Sequence, residues 1–351
     1  MKEHPIAHHI DRVIKILGQE FLYFSGTAYL GIGTVREFED LVLEGIKKYG
    51  PNYGASRSGN IRLEVFDQME HYFAHGAGAE DAALLSSGFL AGQITIRELA
   101  KLTHELWAAP DAHPAIIPEG QYFHGDQNME KFARECIQKS HQKKGNSIGI
   151  LVNAIDTLFP AVHDFEWTRD LSPANEYFLL VDDSHAFGLL GHEIFGTYQQ
   201  WKNLPAKLIV SGSLGKALGI PAGVIIGEKS FIQSIKTNPW FIGASPPAPG
   251  FCDAFLKSKR IYLKQQRILL EKMDYFFDQI KGIHGIKYVN NFPVVRLGKN
   301  GWADKLWERG LIISSFSYPS PSDPPMERAV LSAFHQKSDL EFLAKTIQKL
   351  S

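Results

Sequence analysis

The chain has 351 residues, more than the roughly 250–300 at which a single hydrophobic core stops growing, so we expect two domains. Apolar residues make up 44% and charged residues 21% of the sequence, which is typical of a folded globular protein and not of a disordered one. The 37 Lys and Arg balance 38 Asp and Glu, so no charge excess directs the protein to nucleic acid or to an anionic membrane surface.

The cysteines and the N-terminus indicate the cellular compartment. Cys136 and Cys252 are too few for a disulfide framework and lack the spacing of a zinc site. Asp11, Arg12 and Lys15 interrupt the N-terminal residues, so the apolar core of a signal peptide is missing, and no apolar run reaches membrane-spanning length. We therefore predict a cytoplasmic protein that does not enter a membrane.

Three histidines lie near the N-terminus, at His4, His8 and His9. No carboxylate or cysteine lies at regular spacing beside them. We expect an exposed N-terminal helix here, and no metal site.

The first two thirds of the chain alternate between helix and strand patterns. The runs 148–152 and 177–181 are apolar almost throughout, as is typical of strands buried on both faces of a parallel sheet. The predicted strands are 21–24, 82–86, 115–117, 147–153, 177–182, 207–211 and 223–226, and the predicted helices are 61–75, 89–103 and 127–140. This pattern predicts a mostly parallel α/β sheet.

The proline cluster at 245–249 marks a predicted domain boundary. Beyond it we predict one long helix over 250–281, strands near 286–290, 292–297 and 311–315, and helices over 301–309 and 339–350. The expected division is an N-terminal segment 1–45, a large domain 46–240, and an interdomain helix with a small C-terminal α/β domain over 241–351.

Candidate functional residues follow the ends of predicted strands, where open α/β sheets bind their ligands. The first group is Ser87, Gly88 and Phe89, at a small-residue turn leading into a helix. The free backbone N–H groups and the dipole of a helix N-terminus favour a phosphate. A plain helix cap at Ser87 explains the pattern about equally well.

The second group follows a strand without polar residues. Asp182 would lie at the buried tip of that strand, where a carboxylate needs a cationic partner such as a protonated pyridine nitrogen. An aspartate that caps the following turn is the structural alternative. Asp183 and His185 follow directly, but more distant residues lack the spacing that would support a metal ion.

The third candidate is Lys216, among small and apolar residues just after an apolar run. A desolvated lysine has a lowered pKa and is nucleophilic, so we interpret Lys216 as a Schiff-base lysine. Ser213, three residues earlier, offers a hydroxyl to a phosphate. The fourth candidate is His113, for which a structural role is the simpler interpretation when it is considered alone.

Two motifs together resemble those of pyridoxal-phosphate enzymes of fold type I, and among them of the α-oxoamine synthases. The run 181–191, Val-Asp-Asp-Ser-His-Ala-Phe-Gly-Leu-Leu-Gly, is similar to the family's Asp-[Glu/Asp]-Ala-His-Gly run. The run 213–219, Ser-Leu-Gly-Lys-Ala-Leu-Gly, is similar to its lysine motif. The resemblance extends from Tyr29 to His335 and implies a large domain with a mostly parallel seven-stranded sheet and a smaller C-terminal domain.

The resemblance also implies a role for each candidate. Lys216 would anchor pyridoxal 5′-phosphate, Asp182 would hold the pyridine nitrogen protonated, and His185 would bond the phenolic oxygen. His113 matches the histidine that stacks on the cofactor ring, and Ser213 would contact the cofactor phosphate, where the helix N-terminus already places Ser87, Gly88 and Phe89. Arg328, seven residues before His335, matches the arginine that holds the substrate carboxylate.

The chain departs from the family pattern in segments that contact the substrate. Thr27 stands where the family has an asparagine, and 153–159 replaces a stretch whose serine we cannot align. Residues 242–245 replace a Ser-Thr pair that contacts the phosphate.

The leading functional hypothesis is a homodimeric, pyridoxal-phosphate-dependent acyltransferase that condenses a small amino acid with an acyl-CoA thioester. The alternative is an aminotransferase or another pyridoxal-phosphate reaction on the same scaffold. A third hypothesis is a non-catalytic scaffold, against which the retained Lys216 argues. The sequence leaves open the amino acid, the acyl donor and the pathway.

Overall fold

The structure, a computed structural model, describes residues 4–118, 128–298, 301–317 and 325–351. Its strands are β1 (Val13–Ile16), β2 (Gln19–Phe24), β3 (Asp81–Leu85), β4 (Glu105–Ala108), β5 (Ser147–Asn153), β6 (Ile155–Asp156), β7 (Ala161–Val162), β8 (Glu176–Asp182), β9 (Lys207–Ser213), β10 (Gly223–Gly227), β11 (Lys287–Val289), β12 (Phe292–Arg296), β13 (Leu311–Ser317) and β14 (Pro325–Val330). Its helices are α1 (Arg36–Tyr49), α2 (Glu64–Ala77), α3 (Gly88–Leu102), α4 (Met129–His141), α5 (Tyr198–Trp201), α6 (Lys229–Thr237), α7 (Pro239–Gly243), α8 (Pro249–Lys257), α9 (Lys259–Ile280), α10 (Trp302–Trp307) and α11 (Lys337–Leu350).

The chain forms two compact units. The large unit comprises Glu37–Ile155 and His163–Lys259, and the small unit comprises Met1–Arg36, Asp156–Val162 and Arg260–Ser351. The division into domains at residues 45 and 240 stays a prediction. Within the described ranges, no helix is both long enough and apolar enough to cross a lipid bilayer.

The large unit is built on a sheet with the strand order β3-β10-β9-β8-β5-β4. Neighbours in the series β4, β5, β8 and β9 are parallel, whereas β10 is antiparallel to both β9 and β3. This confirms the predicted α/β fold with a mostly parallel sheet. In the described part of the chain the sheet has six strands, one fewer than the seven that the resemblance implied.

Helix α3 covers part of this sheet through a stripe of buried residues. Ile94, Thr95 and Leu99 lie three, four and eight residues after Ala91, which places all four on one face of the helix. They belong to or adjoin a core of fully buried aliphatic side chains from the strands, such as Leu180. Full burial of one such side chain contributes roughly 1.5–3 kcal/mol, so this packing fixes where α3 begins relative to the strand ends.

The small unit contains a second sheet, with the order β1-β2-β13-β14-β12-β11. The predicted exposed N-terminal helix is wrong: residues 4–12 are not helical, and β1 follows them. The alternation that buries Ile14 and Ile16 has the period of a strand, and both pack with Phe21 of β2. Leu17 and Gly18, both with positive φ, make the two-residue turn that joins β1 to β2.

Two further predictions of local structure are wrong. The strand predicted at 115–117 is a 3₁₀ turn, Pro114–Ile116, and the strand of this region is β4. Proline has a fixed φ that suits the first position of a helical turn, and the apolar residues after it are buried without joining the sheet. The long helix predicted over 250–281 is two helices, α8 and α9, because the chain breaks at Ser258, whose hydroxyl donates to the Ala254 carbonyl at 2.5 Å.

His335 joins the small unit's C-terminal turn to strand β2. Its side chain is 1% exposed, its Nδ1 accepts from the Ser332 N–H at 2.9 Å, and its Nε2 lies 2.9 Å from the Tyr23 carbonyl. An accepting Nδ1 leaves the proton on Nε2, which donates to that carbonyl, so the ring is neutral. Burial lowers the pKa of His335 to about 4, and its ring stacks on Phe24.

We expect His335 to make the protein less stable in acid. The unfolded state binds a proton near the ordinary pKa of 6.5, whereas the folded state does so only near 4, so the contribution is complete above pH 6.5 and is lost as the pH falls to about 4. The loss amounts to at most about 3 kcal/mol. Urea unfolding at about pH 7 and about pH 5 should show a smaller pH dependence for His335→Gln than for the unaltered chain, and equal dependences would contradict the assignment.

Candidate active site

The candidate site of the large unit lies where three parallel strands end side by side. Asn153 at the end of β5 is the register partner of Asp182 on β8, and Asp182 is the partner of Ser211 on β9. The segments that leave these strands therefore start from the same edge of the sheet. Residues 184 and 185 follow β8, and Lys216 follows β9, so the chain brings the two sequence motifs to one edge.

The two neighbouring aspartates differ in their surroundings. Both oxygens of the buried Asp183 accept hydrogen bonds from Thr197, from its N–H at 2.6 Å and its hydroxyl at 2.8 Å, and burial raises the pKa of Asp183 to about 7. Asp182 is 7% exposed, and its Oδ1 accepts the Ser184 N–H at 2.8 Å. Asp183 thus holds the loop at Thr197, whereas Asp182 caps the turn with one oxygen at the sheet edge. His185 follows that turn and is half-buried.

His113 is held in place from two sides. Its Nδ1 accepts the Ala115 N–H at 3.1 Å, and its own backbone N–H donates to Asn153 Oδ1 at 3.1 Å. Burial lowers the pKa of His113, the Asp182 carboxylate raises it, and the Lys216 ammonium lowers it further. The three side chains predicted to surround the cofactor ring are therefore close enough to influence one another electrostatically.

The turn at Ser87 and Gly88 packs directly against strand β9. A Cβ atom on Gly88 would lie 2.5 Å from the Cα and N atoms of Ser213, so only glycine fits here. Helix α3 begins at Gly88, and the first N–H groups of a helix have no partner within it. Ser87 Oγ accepts the Leu90 N–H at 3.2 Å, and Ser213 Oγ accepts the Gly215 N–H at 3.1 Å.

This turn brings together the four residues that the sequence proposes for a phosphate. The N–H groups of Gly88 and Phe89 and the hydroxyls of Ser87 and Ser213 make a small polar cradle at a helix N-terminus. Phe89 lies in the first turn of α3, so its N–H has no partner within the helix and can contribute to the cradle, while its side chain is 56% exposed.

Lys216 lies in the turn between β9 and β10 and is half-buried. The neighbouring Leu214 and Leu218 are fully buried, and backbone hydrogen bonds from Leu214 N to the Ala222 carbonyl at 2.9 Å and from Ile220 N to the Leu214 carbonyl at 3.1 Å fix the turn. This anchoring argues against a freely solvated lysine and supports the interpretation of Lys216 as a nucleophile.

The sequence interpretation missed the role of Asn153. Besides accepting the His113 N–H, its amide donates to the Asp111 carbonyl, and the Asp111 carboxylate lies 2.7 Å from His163 Nε2. Asn153 ends an apolar strand just as Asp182 does, and that shared position is the signal that could have identified it.

Arg57, in the loop before α2, is buried against that helix. Its guanidinium pairs with Glu70 at 2.6 Å, and both side chains are buried. Glu70 also accepts the Leu84 N–H at 2.8 Å and pairs with Lys236 at 3.2 Å. The arginine therefore stabilises the large unit.

Arg328 belongs to the small unit, on β14. It is 9% exposed, and its Nη1 donates to the Thr157 carbonyl at 2.7 Å. Its buried Nε has no hydrogen-bond partner among the described residues. Burial lowers the pKa of Arg328, and Tyr29 and Asp156 raise it. Because Nη1 is already bonded, the edge of the guanidinium that carries Nε remains available. A planar carboxylate can be held on that edge by two parallel hydrogen bonds.

The chemistry of these groups fits pyridoxal phosphate. The cradle at Ser87–Phe89 and Ser213 suits its phosphate, the Asp182 carboxylate suits its protonated pyridine nitrogen, and the Lys216 amine suits its aldehyde.

The protein resembles known proteins over nearly its whole length. The model of the family described as aminotransferase class I and II matches residues 162–347. The 8-amino-7-oxononanoate synthase of Petrotoga mobilis is 23% identical over 354 residues, covering 96% of this chain and 90% of that protein. Among solved structures, serine palmitoyltransferase from S. paucimobilis has a TM-score of 0.82 at 12% identity, and the aligned region covers 99% of this chain and 92% of that one. The 8-amino-7-oxononanoate synthase from Francisella tularensis has a TM-score of 0.73 at 20% identity, covering 94% and 97%.

The family match includes more than half of the chain, and the fold agrees with that of these structures. The predictions of fold type and of pyridoxal phosphate as the cofactor are thereby confirmed, and so is the prediction of a transferase related to the α-oxoamine synthases. The chain belongs to the aminotransferase class I and II family, and it is a pyridoxal-phosphate-dependent enzyme of fold type I.

Proposed function

We propose that the protein is an acyltransferase that condenses a small amino acid with an acyl-CoA thioester. The observation that carries this proposal is the meeting of His113, Asp182 and Lys216 at one sheet edge, beside the cradle at Ser87–Phe89 and Ser213. Acyl transfer is favoured over transamination because curated relatives that cover about the whole chain are named 8-amino-7-oxononanoate synthases. A homodimer and a cytoplasmic location remain predictions from the sequence.

Bound here, pyridoxal phosphate would supply an electron sink that stabilises negative charge on the Cα atom of an amino acid. The Ser184 N–H donates to one oxygen of Asp182, which fixes the orientation of the carboxylate that would face the pyridine nitrogen. Asp183 does not share this role, since both of its oxygens are occupied by Thr197. His185 would bond the phenolic oxygen.

Lys216 would bind the cofactor aldehyde and afterwards take up the proton that leaves Cα. The amine is suited to this because the turn that carries it is held by buried leucines and backbone bonds. His113, with its pKa lowered by burial, is neutral near pH 7 and can pack against an aromatic ring without adding charge. Asn153 and the Ala115 N–H fix the position of that ring.

Arg328 would bind the α-carboxylate of the amino acid. Its buried Nε is without a partner in the described residues, and Nη1 is held by the Thr157 carbonyl, so the guanidinium plane is fixed before the substrate arrives. In the proposed reaction a carbon–carbon bond forms between Cα and the acyl carbon, the thioester C–S bond breaks, and coenzyme A leaves as a thiol.

We expect the purified enzyme to release coenzyme A when a small amino acid and an acyl-CoA are supplied together. A thiol reagent measures this release across a panel of both substrates, with Lys216→Ala as the inactive control. Absence of release from every pair would refute acyl transfer. Conversion of the cofactor to its amine form with keto-acid release would instead support the aminotransferase alternative, and an unaltered cofactor spectrum in Lys216→Ala would support the non-catalytic scaffold.

We expect Gly88→Ala to weaken binding of the cofactor, because the new methyl group would lie 2.5 Å from the Ser213 backbone and open the phosphate cradle. The dissociation constant, measured by pyridoxal-phosphate titration of the apoenzyme, should rise at least about tenfold, which corresponds to about 1.4 kcal/mol. Gly33→Ala is the matched control, since a Cβ there has nothing within 4 Å and the position is exposed. Equal affinities of the two variants would contradict the placement of the phosphate.

We expect Asp182→Asn to lower kcat roughly 10²–10³-fold, the usual effect of removing one fixed electrostatic partner from a reacting centre. The cofactor absorbance of this variant should also titrate at lower pH than that of the parent enzyme, because the amide cannot stabilise a protonated pyridine.

Asp183→Asn makes the same change one residue further along the chain. That variant should lower Tm through Thr197 and leave kcat of the folded enzyme largely unchanged. The reverse pattern would exchange the roles of the two aspartates.

A further inference from the structure

Two arginines lie directly opposite each other in the sheet of the small unit. Arg296 on β12 and Arg328 on β14 are register partners in an antiparallel pair. Opposite residues of such a pair project from the same face with Cβ atoms roughly 4.5–5.5 Å apart, and like charges placed in this way destabilise a sheet. The pairing is therefore unfavourable unless an anion accompanies it.

Among the described residues, Arg296 is held by stacking on an aromatic ring and not by an ion pair. Its guanidinium carbon lies 3.8 Å from the centre of the Phe159 ring, and within the described ranges it forms no ion pair with a carboxylate. Burial lowers the pKa of Arg296, and the charge of Asp156 raises it. A guanidinium stacked on an aromatic ring keeps its edge available for planar, bidentate hydrogen bonds.

The face of the sheet that carries Arg296 and Arg328 has a net positive charge that a ligand could neutralise. Lys287 on β11 is the partner of Arg296 on its other side, so three cations cross three neighbouring strands. The acidic group that influences both arginines is Asp156, whose Oδ1 accepts the N–H groups of Leu158 and Phe159 at 2.8 and 2.9 Å. If Arg328 binds the α-carboxylate of the substrate, the hydrogen-bonding edge of Arg296 remains available for a second group.

We propose that Arg296 determines substrate specificity by binding a second carboxylate, on the side chain of the amino acid whose α-carboxylate is held by Arg328. The inference rests on the proposed function of Arg328 and specifies the amino acid as a small one with an acidic side chain. The buried Nε of Arg328, without a partner among the described residues, and the stacked guanidinium of Arg296 are the two halves of this site.

The test is an amino-acid titration of the holoenzyme, followed by the absorbance of the cofactor, with the near-isosteric pairs aspartate and asparagine, and glutamate and glutamine. We expect the acid of at least one pair to bind about tenfold or more tightly than its amide. Arg296→Gln should remove this preference by weakening the acid, and should leave the Kd of the amide within about twofold. Arg296→Lys keeps the positive charge but loses the planar pair of N–H donors, so it should retain part of the preference. This variant provides a test even if Arg296→Gln folds poorly.

Lys287→Gln is the matched control, since it removes the same charge from the exposed partner position and should leave the preference unchanged. Equal affinities for acid and amide in the parent enzyme would overturn the inference, and so would an acid preference that survives Arg296→Gln. If serine or alanine still binds, either result leaves the proposed function standing. Failure of every amino acid to alter the spectrum would overturn the proposed function and this inference with it.

Discussion

The candidate site depends on the register of the parallel strands β5, β8 and β9. Because their backbones are hydrogen-bonded in step, Asn153, Asp182 and Ser211 stand side by side, and the segments that follow them start from one edge. A shift of one residue in any of these strands would turn Asn153 or Asp182 to the opposite face of the sheet. The apolar residues before them resist such a shift, since both faces of these strands are buried.

Close backbone contact gives the same edge its second property, the polar cradle that we propose for a phosphate. Gly88 and Gly223 allow the turn before α3 to lie against the end of β9 and the start of β10, where a Cβ atom at either position would overlap backbone atoms. The helix N-terminus is thereby fixed relative to the turn that carries Lys216. Pre-positioned donors of this kind avoid the ordering that a flexible site would require on binding.

The two units handle buried charge in opposite ways. In the large unit the buried Arg57 is paired with the buried Glu70, so its charge is compensated within the protein. In the small unit Arg328 is buried with one carbonyl partner, and Arg296 lies opposite it. Buried cations without a paired carboxylate lower stability, and such positions are typical of groups that acquire their partner from a ligand.

The sequence by itself determined the α/β pattern, the strands β5, β8 and β9, and the positions of Asp182 and Lys216 at or just after strand ends, because apolar runs ending in a polar residue are local features. It chose Asp182 over Asp183 from position and motif alone, and the contact that occupies Asp183, with Thr197 fourteen residues away, is a tertiary feature. It also misplaced β1 and the strand β4, and it missed Asn153 and the pairing of Arg296 with Arg328. The alternation of β1 and its hairpin with β2 are local signals, whereas β4, the contacts of Asn153 and the arginine pair depend on contacts between segments distant in the chain, which tertiary packing decides.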